Sequence, residues 1–109
     1  MGSALYVSIK DKSSNLDTLM NGKALARAWE ALDQIAEKLK LPNLNKLCNN
    51  VWKSPEKGLP IFEAYLTYIT QYPESVPDTE GVVEDLKDII RLIGEASKLG
   101  TKWRLLLDY

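Results

Sequence analysis

The sequence contains no histidine, and this absence narrows its chemistry more than any residue that is present. Histidine is the commonest general base and the commonest transition-metal ligand of proteins. Without it, Ser–His and Cys–His nucleophile activation is excluded, and a single cysteine excludes zinc sites built from these residue types. We therefore expect no catalytic residues and no cofactor. An enzyme that works with tyrosines or with carboxylates such as Asp17 and Asp108 ranks last among the functions considered.

Cysteine, net charge and long apolar runs are also scarce. Cys48 is the only cysteine, so an internal disulfide is excluded and a cytoplasmic location is expected. No apolar run is long enough to cross a membrane, which predicts no membrane partner. The formal charge is −1, and no basic row is interleaved with aromatic residues, so we expect no nucleic-acid partner.

Two short segments near opposite ends of the sequence alternate between apolar and polar residues. Leu5, Val7 and Ile9 form the first pattern, and KWRLLLDY, residues 102–109, forms the second. Period-two alternation is typical of a half-buried strand, and a strand needs a neighbour for its backbone groups. We therefore predict a two-stranded ribbon, with its direction left open. Each strand would keep a free edge, so the ribbons of two molecules could form a four-stranded sheet.

Helical periodicity between these segments predicts about four helices. The first begins at an Asn21 cap and ends before Pro42, and the second runs from Asn43 towards Trp52. A short turn follows Pro55, the next helix begins at Pro60, and the last runs from Asp78 or Thr79 to Gly100. Gly94 lies inside that helix, where glycine is unfavourable, so we expect another element of the fold to approach closely there. The expected fold is one mostly helical α+β domain over residues 1–109, with 1–3 typical of a vector remnant.

Aromatic residues suggest two kinds of surface. Tyr65, Tyr68 and Tyr72 share one helix face, where they either complete the core or form a contact surface with a partner. Trp103 and Arg104 of the last strand are further interface candidates. Trp29, Tyr65 and Trp103 could instead line a pocket between the ribbon and the helices.

Acidic residues form one column on the last helix. Glu80, Glu84 and Asp88 are spaced by four, which places them on one helix face. Hard cations need six or more oxygens in a concave arrangement, so a solvated helix start is the preferred interpretation and no metal site is expected.

Three segments together resemble a set of small bacterial proteins without an assigned activity. They are LDTLMNGKALARAWEALDQIAEKL, the turn WKSPEKGL and the closing LLLDY. The resemblance implies a bacterial, cytoplasmic protein and transfers no site residue.

The preferred hypothesis is a small non-catalytic protein-interaction module of accessory, regulatory or immunity type that forms a homodimer. It rests on free strand edges and on aromatic residues in excess of the needs of the core. The alternative is a small-molecule-binding protein with the pocket described above.

Overall fold

The computed structural model describes residues 4–10, 22–49 and 51–108, with the backbone alone for 107 and 108. Its elements are β1 (Ala4–Ile9), α1 (Lys23–Arg27), α2 (Trp29–Leu39), α3 (Leu44–Leu47), α4 (Leu59–Gln71), α5 (Thr79–Leu99) and β2 (Trp103–Asp108). Two 3-10 turns, Pro55–Lys57 and Pro73–Ser75, precede α4 and α5. Residues 1–3, the Asn21 cap and Asp17 lie outside this range.

The two strands pair with each other, which confirms the predicted ribbon. The pairing is antiparallel, with Ala4 opposite Asp108 and Ile9 opposite Trp103. Odd-numbered residues face the helices: Leu5, Val7 and Leu105 are at most 1% exposed. The even-numbered positions form the outer face of the ribbon, where Tyr6 is 37% exposed. The alternation read from the sequence therefore gives the correct face for each strand.

The ribbon edges are less open than the sequence suggests. Lys53 pairs with Trp103 on the outer edge of β2 through two backbone hydrogen bonds of 2.8 and 3.0 Å. On the outer edge of β1, the N–H of Leu5 donates to the carbonyl of Gly22 at 3.1 Å. A second molecule that added a strand would therefore find each edge partly occupied.

Two predicted helices differ from those observed. The first is interrupted at Ala28, whose N–H is shared between the carbonyls of Ala24 and Leu25 at 3.1 and 3.2 Å, a local 3-10 tightening. The second ends after one turn at Leu47, so Trp52 is not helical. It ends there because Asn49 turns the chain: its amide donates to the carbonyl of Lys46, and its side-chain oxygen accepts the N–H of Val51.

The core lies between the ribbon and the helices and centres on α4, α5 and the inner face of the strands. The long helix α5 supplies most of it through a stripe of apolar residues at helical spacing, of which Ile89, Leu92 and Ile93 are fully buried. Asp78 caps α5 by accepting the N–H of Gly81, and Gly100 ends it at φ +67°. Within the described residues, no helix combines the length and the apolar content required to span a membrane.

Gly94 has no close neighbour among the described residues, contrary to the expectation from the sequence: apart from the backbone of its own helix, none of their atoms lies within 4 Å of the position that a Cβ would take. We predict that Gly94→Ala raises the free energy of unfolding by about 1 kcal/mol, since alanine loses less backbone entropy in a helix. Gly81→Ala on the same helix is the matched control: its Cβ would lie 2.7 Å from that of Ala24. Urea unfolding should show that Gly94→Ala is more stable, and Gly81→Ala less stable, than the unsubstituted protein. Equal effects of the two substitutions would contradict this packing.

Candidate functional site

The five interface candidates from the sequence divide into core residues and surface residues. Tyr65 is 1% exposed and Trp103 is fully buried, so neither offers surface to a partner. Tyr68 and Arg104 are half-buried, and Tyr72 is 45% exposed. The tyrosine stripe therefore begins in the core and ends at the surface, where the rings of Tyr68 and Tyr72 lie 4.9 Å apart.

Trp103 anchors β2 instead of standing at an open edge. Its indole N–H donates to the carbonyl of Ser54 at 3.1 Å, and its ring meets Phe62 edge-on at a centroid distance of 5.8 Å. Gly58 lies directly against it: an added Cβ would come within 2.2 Å of the indole. Trp103 therefore joins the ribbon, the 3-10 turn before α4, and α4 itself. Trp103 does not line the groove that lies between α4 and α5.

Tyr65 joins α4 to the loop after α2. Its hydroxyl donates to the carbonyl of Pro42 at 2.9 Å. Burial, with a smaller contribution from the nearby carboxylate of Asp33, raises the pKa of Tyr65 to about 12. Tyr65 is therefore a buried phenol that stays protonated at neutral pH, and its role is structural.

This raised pKa predicts a specific loss of stability in alkali. In the unfolded chain the phenol ionises near pH 10, whereas the folded protein holds its proton to about pH 12. The stabilisation is therefore complete below pH 10 and disappears as the pH rises to 12, a loss of ~2–3 kcal/mol. Urea unfolding across this window should show a weaker pH dependence for Tyr65→Phe than for the unsubstituted protein. Tyr72→Phe, which removes a hydroxyl from an exposed ring, is the control and should retain the original slope.

Arg104 and Trp52 form a stacked pair on the outer face of the ribbon. The guanidinium carbon of Arg104 lies 4.3 Å from the centroid of the Trp52 ring. Ser8 is opposite Arg104 in the strand register, and Tyr6 is opposite Leu106. These five residues, Tyr6, Ser8, Trp52, Arg104 and Leu106, are called the ribbon face below. Val51, which precedes the tryptophan, is 61% exposed and extends the apolar surface beside it.

Lys53 holds Trp52 in place. Its ammonium donates to the carbonyls of Leu47 and Val51, both at 3.2 Å, and to the side-chain oxygen of Asn49 at 2.8 Å. All three of its N–H donors are thus used within the segment that carries Trp52. The same ammonium lies 5.5 Å from the centroid of the Trp103 ring. Because the backbone of Lys53 also pairs with Trp103, Trp52 is fixed beside the strand that carries Arg104.

The guanidinium N–H donors of Arg104 are not used within the described part of the chain. It forms no hydrogen bond or ion pair in the described part of the chain, and its Nε is enclosed without a partner. An arginine carries five N–H donors in a planar fork that matches a carboxylate or a phosphate. The stacked ring restricts the side chain before any partner arrives. The geometry therefore presents a pre-oriented anion receptor next to apolar surface.

Two further cations lie at the same end of the ribbon as Arg104. The backbone N–H of Lys10 donates to the carbonyl of Lys102 at 2.9 Å, just beyond the pairing of Ile9 with Trp103. Both lysines are exposed, and neither forms an ion pair with another described residue. Three cations without an ion-pair partner thus lie together in a protein whose net charge is −1.

Cys48 does not have the environment of a nucleophile. Burial raises the pKa of its thiol, and the nearby Lys53 only partly opposes this effect. Burial likewise lowers the pKa of Lys53. A reactive cysteine needs the opposite shift, towards the thiolate at neutral pH. Cys48 is therefore a half-buried structural thiol in the segment before Trp52.

The acidic column remains at the surface of α5. Glu80 and Glu84 are exposed, and the carboxylate of Asp88 lies 3.8 Å from Arg91. Among the described residues, no three His, Cys, Asp or Glu side chains are grouped so that they could hold a metal ion. Asp17 and the side chain of Asp108 lie outside the described part of the chain.

A groove of about 470 Å³ lies between α4 and α5, away from the ribbon face. Its walls are mostly apolar, and charged residues stand at its rim; it is lined by Leu66, Ile69, Thr70, Pro73, Thr79, Glu80, Val83 and Lys87. None of the three aromatic residues predicted to form a pocket, Trp29, Tyr65 and Trp103, belongs to this lining.

Neither protein-family models, curated proteins nor solved structures give a match to this chain.

Sequence reasoning missed two residues that shape the molecule. Trp52 shares a helical spacing with Leu44 and Leu47 in the sequence, but in the structure it stacks on Arg104 at the surface. Asp85 lies near the start of α5, where the helix dipole favours an acidic residue, but it is 3% exposed and binds the backbone of α1. A signal for Asp85 was present, because it falls on the same helical stripe as Val82, Leu86 and Ile89.

Proposed function

We propose that this protein is a small, non-catalytic protein-interaction module that contacts its partner through the ribbon face. The observation that carries this proposal is the Arg104–Trp52 stack, whose guanidinium has no hydrogen-bond partner in the described chain. Tryptophan, tyrosine and arginine are the residues that most often dominate binding energy at protein interfaces. Here all three residue types occur together on the ribbon face.

The environment of the potential catalytic groups supports a role in recognition rather than chemistry. The thiol of Cys48 and the phenol of Tyr65 both have a raised pKa, which keeps their nucleophilic forms scarce at neutral pH. The accessory, regulatory or immunity-type role expected from the sequence is compatible with such a surface. This surface defines how the protein would bind, whichever of these processes it serves.

Capture of partners tests this function. The unsubstituted protein, the double variant Trp52→Ala/Arg104→Ala and the control Arg91→Ala would be immobilised and exposed to a lysate of the producing cells. Arg91 is an exposed arginine on α5 that is paired with Asp88 and does not belong to the ribbon face. We expect a protein retained by the unsubstituted chain and by Arg91→Ala but lost from the double variant. Equal retention by all three proteins would contradict the proposal.

Self-association is the second part of the proposal. We expect a homodimer, and the partly occupied strand edges disfavour its formation through a four-stranded sheet. Light scattering coupled to size-exclusion chromatography over a micromolar to millimolar range measures the mass directly. A monomer at every concentration would remove the dimer and leave binding to a different protein as the proposed function.

The groove between α4 and α5 favours the alternative function, a small-molecule-binding protein. An apolar cleft with a few polar groups at its rim is the usual form of a ligand site. A thermal-shift screen over metabolites tests it, because a bound ligand raises the melting temperature by mass action. A hit that persists in Val83→Trp, which fills the groove, would place the ligand elsewhere.

A further inference from the structure

We infer that the ribbon face docks an extended protein segment that carries a carboxylate side chain next to an apolar one. The carboxylate is received by the fork of Arg104, and the apolar side chain rests against Trp52 and Leu106. This inference deepens the proposed function and rests on it. It names the chemistry of the partner, which the presence of an interaction surface alone does not define.

The partial burial and the unpaired donors of Arg104 favour the binding of an anion. A half-buried guanidinium that has lost part of its hydration and has no acceptor is the arrangement in which a charge-assisted, bidentate hydrogen bond gains most. The stack on Trp52 covers one face of the guanidinium and the Nε is enclosed, so the two terminal Nη groups are the donors that a partner would reach. A carboxylate is planar and matches this pair of donors, and the stacked arginine loses little further freedom on binding.

Charge complementarity points to an acidic partner rather than to a neutral one. Lys10 and Lys102 are exposed at the same end of the ribbon as Arg104, and none of the three cations has an ion-pair partner among the described residues. A symmetric dimer that brought two ribbon faces together at Arg104 would place like charges against each other. An acidic segment from a different surface removes that repulsion.

The apolar neighbours favour a protein segment over a nucleic acid. Tyr6 and Val51 are 37% and 61% exposed, and they provide apolar contact area beside the cations. Tight binding to nucleic acid depends on neutralising many phosphates, roughly 6–10 in strongly binding proteins. Three cations among apolar side chains fit one or two carboxylates in a peptide better.

Three capped peptides provide the probes. The first alternates Glu and Leu, the second has Gln in place of Glu, and the third has Lys in its place. Each is titrated into ¹⁵N-labelled protein, and the Nε–Hε resonances of Arg27, Arg91 and Arg104 are followed together with the indole N–H resonance of Trp52. We expect the Glu peptide alone to shift the resonances of Arg104 and Trp52, with affinity at least about tenfold above that of the Gln peptide.

Substitutions distinguish the contribution of the planar guanidinium of Arg104 from the contribution of its positive charge. Arg104→Lys keeps the charge but loses the planar fork, so we expect about tenfold weaker binding of the Glu peptide. Arg91→Gln is the matched control and should bind as the unsubstituted protein does. Lys53→Met, which removes the donors that hold the Trp52 segment, should also weaken binding while far-ultraviolet circular dichroism reports an intact fold. Equal affinity of Arg104→Lys and Arg91→Gln would overturn the role of the fork.

Further outcomes would overturn the inference and leave the proposed function standing. The first is equal binding of the Glu and Gln peptides at Trp52, which would show an apolar surface without charge selection. The second is tighter binding of a single-stranded DNA hexamer than of the Glu peptide, which would show selection for phosphate. The third is an altered Arg104 resonance in unbound Asp11→Asn/Asp17→Asn, which would show that the chain's own segment takes the place of the partner. Failure of the capture experiment would instead remove the proposed function itself.

Discussion

Replacing Asp85 by Ala is expected to lower the free energy of unfolding by about 2–4 kcal/mol, which is a large effect for a single buried carboxylate. The two oxygens of this buried side chain accept the backbone N–H groups of Gly22 and Leu25 at 3.1 and 3.0 Å. Helix α1 has no side-chain cap of its own, so Asp85 caps it from another helix. Removing both acceptors leaves two buried donors unsatisfied, partly offset because folding no longer desolvates a carboxylate.

Two further variants make this prediction specific. Asp85→Asn keeps one acceptor oxygen and should lose about half as much stability as Asp85→Ala. Asp88→Ala removes a half-buried carboxylate of the same helix, whose ion pair among the described residues is with Arg91, and should cost less than about 1 kcal/mol. Urea unfolding measures the stability of all three variants, with one dependence of the free energy on urea concentration (m value) used for all of them. If Asp85→Ala and Asp88→Ala were equally mild, the cap of α1 would contribute nothing and the account would be wrong.

Gly22→Ala is expected to lower the free energy of unfolding by more than about 3 kcal/mol, because strain and a steric clash act together. Gly22 adopts φ +67°, which an L side chain rarely takes, and an added Cβ would lie 1.8 Å from the carbonyl oxygen of Leu5. That atom belongs to the backbone of β1 and cannot move aside without disturbing the strand. The hydrogen bond from Leu5 to Gly22 would be lost in the same movement.

Gly100→Ala is the matched control, since its φ is also +67° but no atom lies within 4 Å of an added Cβ. It should cost only about 1 kcal/mol, the price of the left-handed conformation. Urea unfolding of the two variants separates conformational strain from the clash. A loss at Gly22 no greater than at Gly100 would mean that β1 is free to move away from α1.

The ribbon could be predicted from the sequence because its signal is local. Leu5 and Val7 alternate with Tyr6 and Ser8, and the same period gives the side chains of residues 103–106 in β2 their correct faces. The antiparallel direction was left open because the long connection between the strands fixes no direction in advance. Predictions that needed only one segment, such as the caps of α5 by Asp78 and Gly100, were confirmed.

The candidate site could be predicted only in part because it is assembled from three distant segments. Arg104 was identified as an interface residue, but Trp52 was assigned to a helix from its spacing with Leu44 and Leu47. Residue spacing cannot report that Asn49 turns the chain and ends this helix, or that the backbone of Lys53 pairs with Trp103. Asp85 was missed for a similar reason: its partners on α1 lie more than fifty residues earlier in the chain.

The pairing of Ala4 with Asp108 has a mechanical consequence. A force that pulls these two residues apart acts across the ribbon at one end, so the inter-strand hydrogen bonds break one after another, as in opening a zipper. Such a geometry yields at a lower force than strands that must slide past each other together. Pulling between Ala4 and Asp108 in an optical trap should therefore release the ribbon first and separate Arg104 from Ser8 while α4 and α5 are still packed together.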